Sequence, residues 1–298
     1  MSFSLITFLP DFNQLIPPPF SYIIAGAFGA IIGSFLNVVI HRVPREESVA
    51  FPSSKCPSCS KEIAFYDNIP VLSYILLRGR CRSCKTRISP RYPAIELLTA
   101  LLFVAVTWRT GVTLALPFDL TFVSALVALI FIDAEHMILP NAITYPGMVF
   151  ALVARVAVPY LVGAPHFDDL PGLMNGVFAG WTVWAVSLAG AFIGALIGGG
   201  SLWLMGWLWE KLRGVEAMGL GDVKMMFMVG AYFGWRLTLL TIFLGAFSGS
   251  VIGVGVTLYQ GRRDLQGLLP YGIYLGVGAI IALLIGSKIV NWYASFYQ

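Results

Sequence analysis

The chain has 298 residues, 58% of them hydrophobic and 11% charged, with a formal net charge of +4. A soluble globular domain carries roughly 25% charged residues. Composition therefore argues against an ordinary soluble enzyme and for a polytopic membrane protein. The run from Leu170 to Trp209 contains no Asp, Glu, Lys or Arg. The first 19 residues have no basic leading region, and Asp11 interrupts their apolar part, so no cleavable signal peptide is expected.

In chain order, the first span is expected from Phe20 to Ile40, entered through Pro17, Pro18 and Pro19. Gly26, Gly29, Gly33 and Ser34 fall three and four residues apart, so they share a helix face on which a neighbour can pack closely. Asn37 follows, and an interhelical hydrogen bond is its expected role.

The next segment, His41 to Tyr92, holds ten Lys or Arg against four Asp or Glu. Basic segments between spans face the cytoplasm as a rule. Nucleic-acid binding is disfavoured, because Glu46, Glu47, Glu62 and Asp67 interrupt the charge and no nucleic-acid module is recognisable. All four cysteines lie here, as Cys56-Pro-Ser-Cys59 and Cys81-Arg-Ser-Cys84 with 21 residues between the pairs. Such knuckles suit a tetrahedral thiolate site for zinc. Lys55, Arg80, Arg82 and Lys85 favour thiolates. Disulfides are the alternative, and a cytoplasmic location opposes them. Four protein ligands leave no open position, so zinc would be structural.

Further spans are expected at Pro93–Trp108, Phe118–Ile132 and Ile143–Val162, with a polar loop at Ala164–Pro171. The forty uncharged residues of Leu170–Trp209 exceed one span and barely allow two. A single crossing, Ala191–Trp209, keeps Lys211 and Arg213 on the side of the cysteine segment. It leaves Gly172–Gly190 as an apolar interfacial or re-entrant piece. A short span at Val223–Trp235 follows, then Leu237–Tyr259, ending at Arg262 and Arg263, and Pro270–Val290. Gly245, Gly249, Gly253 and Gly255 suggest close packing of the seventh helix. The expected fold is an all-α polytopic membrane protein of about eight transmembrane helices, both termini outside, with a small cytoplasmic zinc-binding segment between the first and second.

Met218-Gly219-Leu220-Gly221-Asp222-Val223-Lys224 places a carboxylate beside apolar runs, which marks it as a candidate functional site. A helix-capping Asp is the plainer reading, and Lys224 offers Asp222 a salt bridge. The third span ends in Asp133-Ala134-Glu135-His136, where Asp133 could be an ordinary helix-end acid. Under the single-crossing topology Asp133 and Asp222 share a side and a depth. Two carboxylates at one site cannot both ionise cheaply, so one keeps its proton while the other is charged. That pair can perform aspartyl hydrolysis of a peptide without a metal.

Here the sequence resembles the type IV prepilin peptidases. The resemblance is carried by Gly33-Ser34-Phe35-Leu36-Asn37-Val38-Val39-Ile40-His41-Arg42-Val43-Pro44, the cysteine knuckles, Asp67 to Tyr74, and Arg78 to Arg82. Phe131-Ile132-Asp133 with His136 and Pro140-Asn141 resembles the family's first catalytic motif. Gly219-Leu220-Gly221-Asp222-Val223-Lys224 resembles the second. The likeness implies catalytic Asp133 and Asp222 and a bacterial inner-membrane enzyme whose active site faces the cytoplasm. Its protein substrates would be type IV prepilins or type II secretion pseudopilins. It would cut their leaders and then N-methylate the new terminus, usually a Phe, with S-adenosylmethionine.

The resemblance also implies domains at 1–40 (tail and first helix), 41–92 (a methyl-transfer-associated segment with metal ligands Cys56, Cys59, Cys81 and Cys84) and 93–298 (peptidase). No motif locates the methyl donor. Ile273 stands where the family often has a second proline, and Gly172–Gly190 exceeds the family's usual connection. The alternatives are a peptidase without methyl transfer and a non-enzymatic scaffold of a secretion machine.

Overall fold

The computed structural model describes residues 16–162, 166–214, 218–260 and 270–297. The N-terminal tail, the Arg262–Arg263 stop and part of the Ala164–Pro171 loop lie outside the described residues. Among the described residues the chain is helical, without strands, and seven helices are long and apolar enough to cross a membrane. The long elements are α1 (Phe20–Arg42), α2 (Arg91–Thr110), α3 (Leu116–His136), α4 (Asn141–Val162), α5 (Val183–Arg213), α6 (Leu220–Phe233), α7 (Trp235–Gln260) and α8 (Tyr271–Ala294). Two compact units divide the described chain, one within Pro10–Ala128 and one in Leu129–Gln298, with the boundary inside α3.

In the first unit the small residues of α1 do what their spacing implies. A Cβ added at Gly29 would lie 2.8 Å from the Phe103 side chain, and one at Gly33 only 2.7 Å from Glu96 Cα. The α1 and α2 backbones therefore approach more closely than larger residues permit. Between them the polar segment has little apolar core. Two isolated bridges, Lys55 with Glu62 and Arg80 with Arg87, close one loop around each cysteine knuckle. Arg82 clamps Asp67 through Nε–Oδ2 at 2.8 Å and Nη2–Oδ1 at 2.6 Å. That guanidinium holds the Asp67 carboxyl below its usual range.

In the second unit α6 lies innermost. Its Met225, Met226, Met228, Val229 and Tyr232 side chains are all at most 1% exposed. Gly194 of α5 and Gly230 of α6 meet backbone to backbone, and Gly147 of α4 meets Met228. At 14 residues α6 is shorter than the roughly 20 that a lipid-exposed span requires. It satisfies the bilayer constraint differently, because its side chains contact protein rather than lipid.

The single crossing expected in the Leu170–Trp209 run is one continuous helix, but its bounds differ. α5 starts at Val183 rather than Ala191, and the piece before it reduces to a short helix, Leu170–Asn175, with turns. A π-helical turn at Leu196–Gly200 interrupts α5 where two of its three consecutive glycines, Gly198 and Gly199, pack against Met226 and Phe227 of α6 and Thr238 of α7. Inserting such a turn re-aims the helix without breaking it. On α7, Gly245 and Gly249 contact α8, whereas a Cβ at Gly255 would meet nothing within 4 Å, so packing does not explain that glycine.

Candidate active site

Asp133 sits in the last turn of α3 and is 5% exposed. The helix ends at Met137, whose φ of 52° is a left-handed turn, and Leu139 and Pro140 lead directly into α4. Asp222 lies in the first turn of α6. It is not the cap: Gly219 occupies that position in an extended conformation, and Asp222 donates its backbone N–H to Gly219 O at 3.2 Å. The helix-capping reading of Asp222 therefore fails, and its carboxylate is left for another use.

The two aspartates line one cavity of about 360 Å³ with Met137, Leu139, Asn141 and Gly221. Their proximity is visible at Gly272, in the first turn of α8. A Cβ built there would lie 2.7 Å from Asp133 Oδ2 and 3.1 Å from Asp222 Oδ1. Asp133 Oδ2 also accepts the Ile273 N–H at 3.1 Å. The absent side chain at Gly272 lets the start of α8 come up against both carboxylates, and the first backbone N–H groups of a helix are free to bind an anion there.

Lys224 does not neutralise Asp222. Its Nζ donates to Asn141 Oδ1 at 2.9 Å and lies 5.4 Å from the centre of the Tyr145 ring. Gly221 has no left-handed φ, so turn geometry does not require it. Close approach does: a Cβ there would stand 3.0 Å from Leu139 Cβ. Glu135, two residues from Asp133, does not line this cavity.

The four cysteines are brought together. Their Sγ atoms all lie within 4.8 Å of one another, and Cys56 Sγ is 3.7 Å from Cys84 Sγ. Zinc–sulfur bonds of about 2.3 Å in a tetrahedron separate sulfurs by about 3.8 Å, so these residues fit the ion. All four are free thiols rather than disulfides. The Thr86 hydroxyl, 3.4 Å from Cys84 Sγ, and a Thr86 backbone contact pull that thiol down to about 6, into the range where thiolate is available to a metal.

One charged cluster went unnoticed in the sequence. Arg155, inside α4, and Asp169, in the loop before the short helix, are both completely buried. Two bonds join them, Nη1–Oδ1 at 2.8 Å and Nη2–Oδ2 at 2.9 Å, and Arg155 Nε reaches Ser187 O at 3.3 Å. Gly190 and Gly234 supply the space, since a Cβ at either would overlap the pair. An arginine within an apolar span was the available signal.

Comparison with known proteins places this geometry in context. Residues 27–110 match the bacterial peptidase A24 N-terminal domain, and residues 120–254 match the type IV leader peptidase family. The prepilin leader peptidase/N-methyltransferase of Pseudomonas aeruginosa is 34% identical, over 97% of this chain and 99% of its own length. The chain belongs to the type IV leader peptidase family. Other members of the family named prepilin leader peptidase/N-methyltransferase include that of Aeromonas hydrophila, 37% identical over 89% of this chain and 91% of its own. That of Myxococcus xanthus is 40% identical over 78% of this chain and 62% of its own. No solved structure matches the chain with significance. Both aspartates fall within the leader-peptidase match, and all four cysteines fall within the N-terminal-domain match.

Proposed function

We propose that this chain is a membrane aspartyl endopeptidase that cleaves the leaders of type IV prepilins or pseudopilins. It then N-methylates the exposed terminus with S-adenosylmethionine. The observation that carries the peptidase reading is the cavity shared by Asp133 and Asp222, two carboxylates at one site without an ion-pair partner among the described residues. Mutual repulsion keeps one of them protonated. The ionised one takes a proton from water as it attacks the scissile carbonyl, and the protonated one donates to the carbonyl oxygen. No metal takes part in this step.

Cys56, Cys59, Cys81 and Cys84 would hold zinc as a fold-stabilising staple for the 41–92 segment, whose own apolar core is too small to do so. A zinc there supplies cross-links rather than chemistry, because no coordination position stays open. The basic content of the same segment supports an inner-membrane topology with that segment and both aspartates on the cytoplasmic side.

The test is incubation of the purified protein with a prepilin, followed by mass spectrometry that reads leader loss and a methyl mass shift separately. Asp133→Asn and Asp222→Asn should each lower cleavage by at least about a thousandfold, since neither amide can exchange a proton with water near neutral pH. Cleavage by both variants at the wild-type rate would remove the aspartyl mechanism.

A further inference from the structure

Two stretches that stand out in the sequence, and that the proposed cleavage step does not use, converge with the start of α2 at one point in the Pro10–Ala128 unit. They are Gly33–Asn37 on α1 and Asp67–Tyr74 in the polar segment, and they meet Tyr92–Glu96 in the first turns of α2. Gly33 lies against Glu96 Cα, as described above. One turn further, Asn37 Nδ2 donates to Tyr92 O at 3.1 Å and to Gly33 O at 3.3 Å. Glu96 Oε2 accepts the Val71 N–H at 2.7 Å, and Ser34 lies beside the same carboxylate. Val71 holds a φ of 60°. For a β-branched residue that conformation costs on the order of 1–3 kcal/mol, and such strain gathers at functional sites. Asp67, in the same loop, is tied by Arg82 to the second cysteine knuckle.

This arrangement leaves acceptors unmet. Asn37 is 5% exposed, and its Oδ1 is buried without a hydrogen-bond partner among the described residues. A buried acceptor left unpaired costs about 1–3 kcal/mol. Glu96 is 9% exposed and accepts the Val71 N–H, with Ser34 beside it and no cation paired to it among the described residues. On successive turns of the α1–α2 contact, a carboxylate without a counter-ion and an amide oxygen without a donor are together complementary to one kind of group. It must be cationic and carry several N–H bonds. A sulfonium or quaternary ammonium has the charge but no N–H for Asn37. A neutral amide has the N–H but no charge for Glu96.

We infer that Ser34, Asn37 and Glu96 form a recognition site for an aliphatic α-ammonium group. The inference rests on the methyl transfer proposed above, which brings two such groups to the enzyme: the new α-amine of the cut pilin and the amino-acid end of the methyl donor. The pair binds the ammonium and orients it, and the strained Val71 peptide fixes the Glu96 rotamer.

Equilibrium binding to the purified full chain tests the site through two matched pairs of probes. One pair is a synthetic peptide with a mature pilin-like terminus, beginning with Phe, with its amine either free or acetylated. The other is S-adenosylhomocysteine and 5′-methylthioadenosine, which lacks the amino-acid moiety. In one pair the ammonium-bearing member should bind at least about tenfold tighter, as expected for a charge-assisted contact. Glu96→Gln, which keeps an acceptor for the Val71 N–H, and Asn37→Leu should each erase that preference while the ammonium-free member binds as before. The pair that loses its preference identifies the source of the group. The site is refuted if neither pair depends on the ammonium, or if the preference survives Glu96→Gln. Leader cleavage in the same preparation reports that each variant is folded. A wild type that cleaves but never methylates would sink the methyl-transfer reading instead, and the binding comparison would still decide the site.

Discussion

Two carboxylate clusters in the Leu129–Gln298 unit are built in opposite ways. Asp169 is closed off by Arg155 through two short bonds, inside a space that Gly190 and Gly234 keep free of side chains. Asp222 faces a cavity and a second carboxylate, while the nearby lysine is engaged elsewhere. Both arrangements place charge among apolar helices, which is costly by default. In the first the cost is offset by a complete set of partners. In the second it is left standing, as the proposed proton transfer requires. Under that proposal, burial alone does not mark a functional acid in this protein; the absence of a counter-ion does.

The sharpest way to break this comparison is to treat both clusters alike. Beyond the single substitutions, the double variant Asp133→Asn with Asp222→Asn should cleave hardly worse than either alone, because residues that act as one unit are not additive. A product of the two single losses, read from initial cleavage rates, would mean the aspartates act independently.

The closed cluster should fail differently. Arg155→Leu strands Asp169 in an apolar interior and should lower stability by about 3–5 kcal/mol. The expected readout is reduced yield and a lower Tm in detergent, with cleavage per folded molecule preserved. Replacing both partners, Arg155→Met with Asp169→Leu, should recover much of that stability, since the stranded charge is gone. A folded, stable Arg155→Leu protein that does not cleave would place Arg155 in the catalytic machinery and blur the contrast.

Smaller effects test how the open site is shaped. Gly272→Ala adds a methyl 2.7 Å from Asp133 Oδ2 and should reduce kcat by about a hundredfold, because sub-ångström displacement of reacting groups is that expensive. Gly221→Ala meets Leu139 at 3.0 Å and should cost less, about tenfold, since a side chain can yield where a carboxylate pair cannot. The smallest effect is expected at Glu135→Gln. That acid lies two residues from Asp133 and outside the cavity, so cleavage should stay within about twofold of wild type. A dead Glu135→Gln beside an active Asp133→Asn would show that the wrong carboxylate has been assigned.

Much of this was legible from residue order. Apolar run lengths indicate membrane helices because bilayer thickness fixes how many residues a span needs. Gly26, Gly29 and Gly33 mark the α1 packing face because helical periodicity is local. The Cys56–Cys59 and Cys81–Cys84 spacing anticipates the clustered sulfurs because each knuckle is closed by its own short loop. The two aspartates could be singled out because an acid beside an apolar run is rare.

Other features depend on segments far apart in the chain, and only the tertiary structure decided them. α6 can be short because its neighbours, not lipid, surround its side chains. α5 could be bounded only once the glycines of its π turn met their partners. Asp169 looked like a loop acid until Arg155, fourteen residues earlier, turned to meet it. Whether a carboxylate is neutralised or left open depends on which side chains converge on it. Local sequence determines that the charge is present; three-dimensional packing determines whether it has a partner.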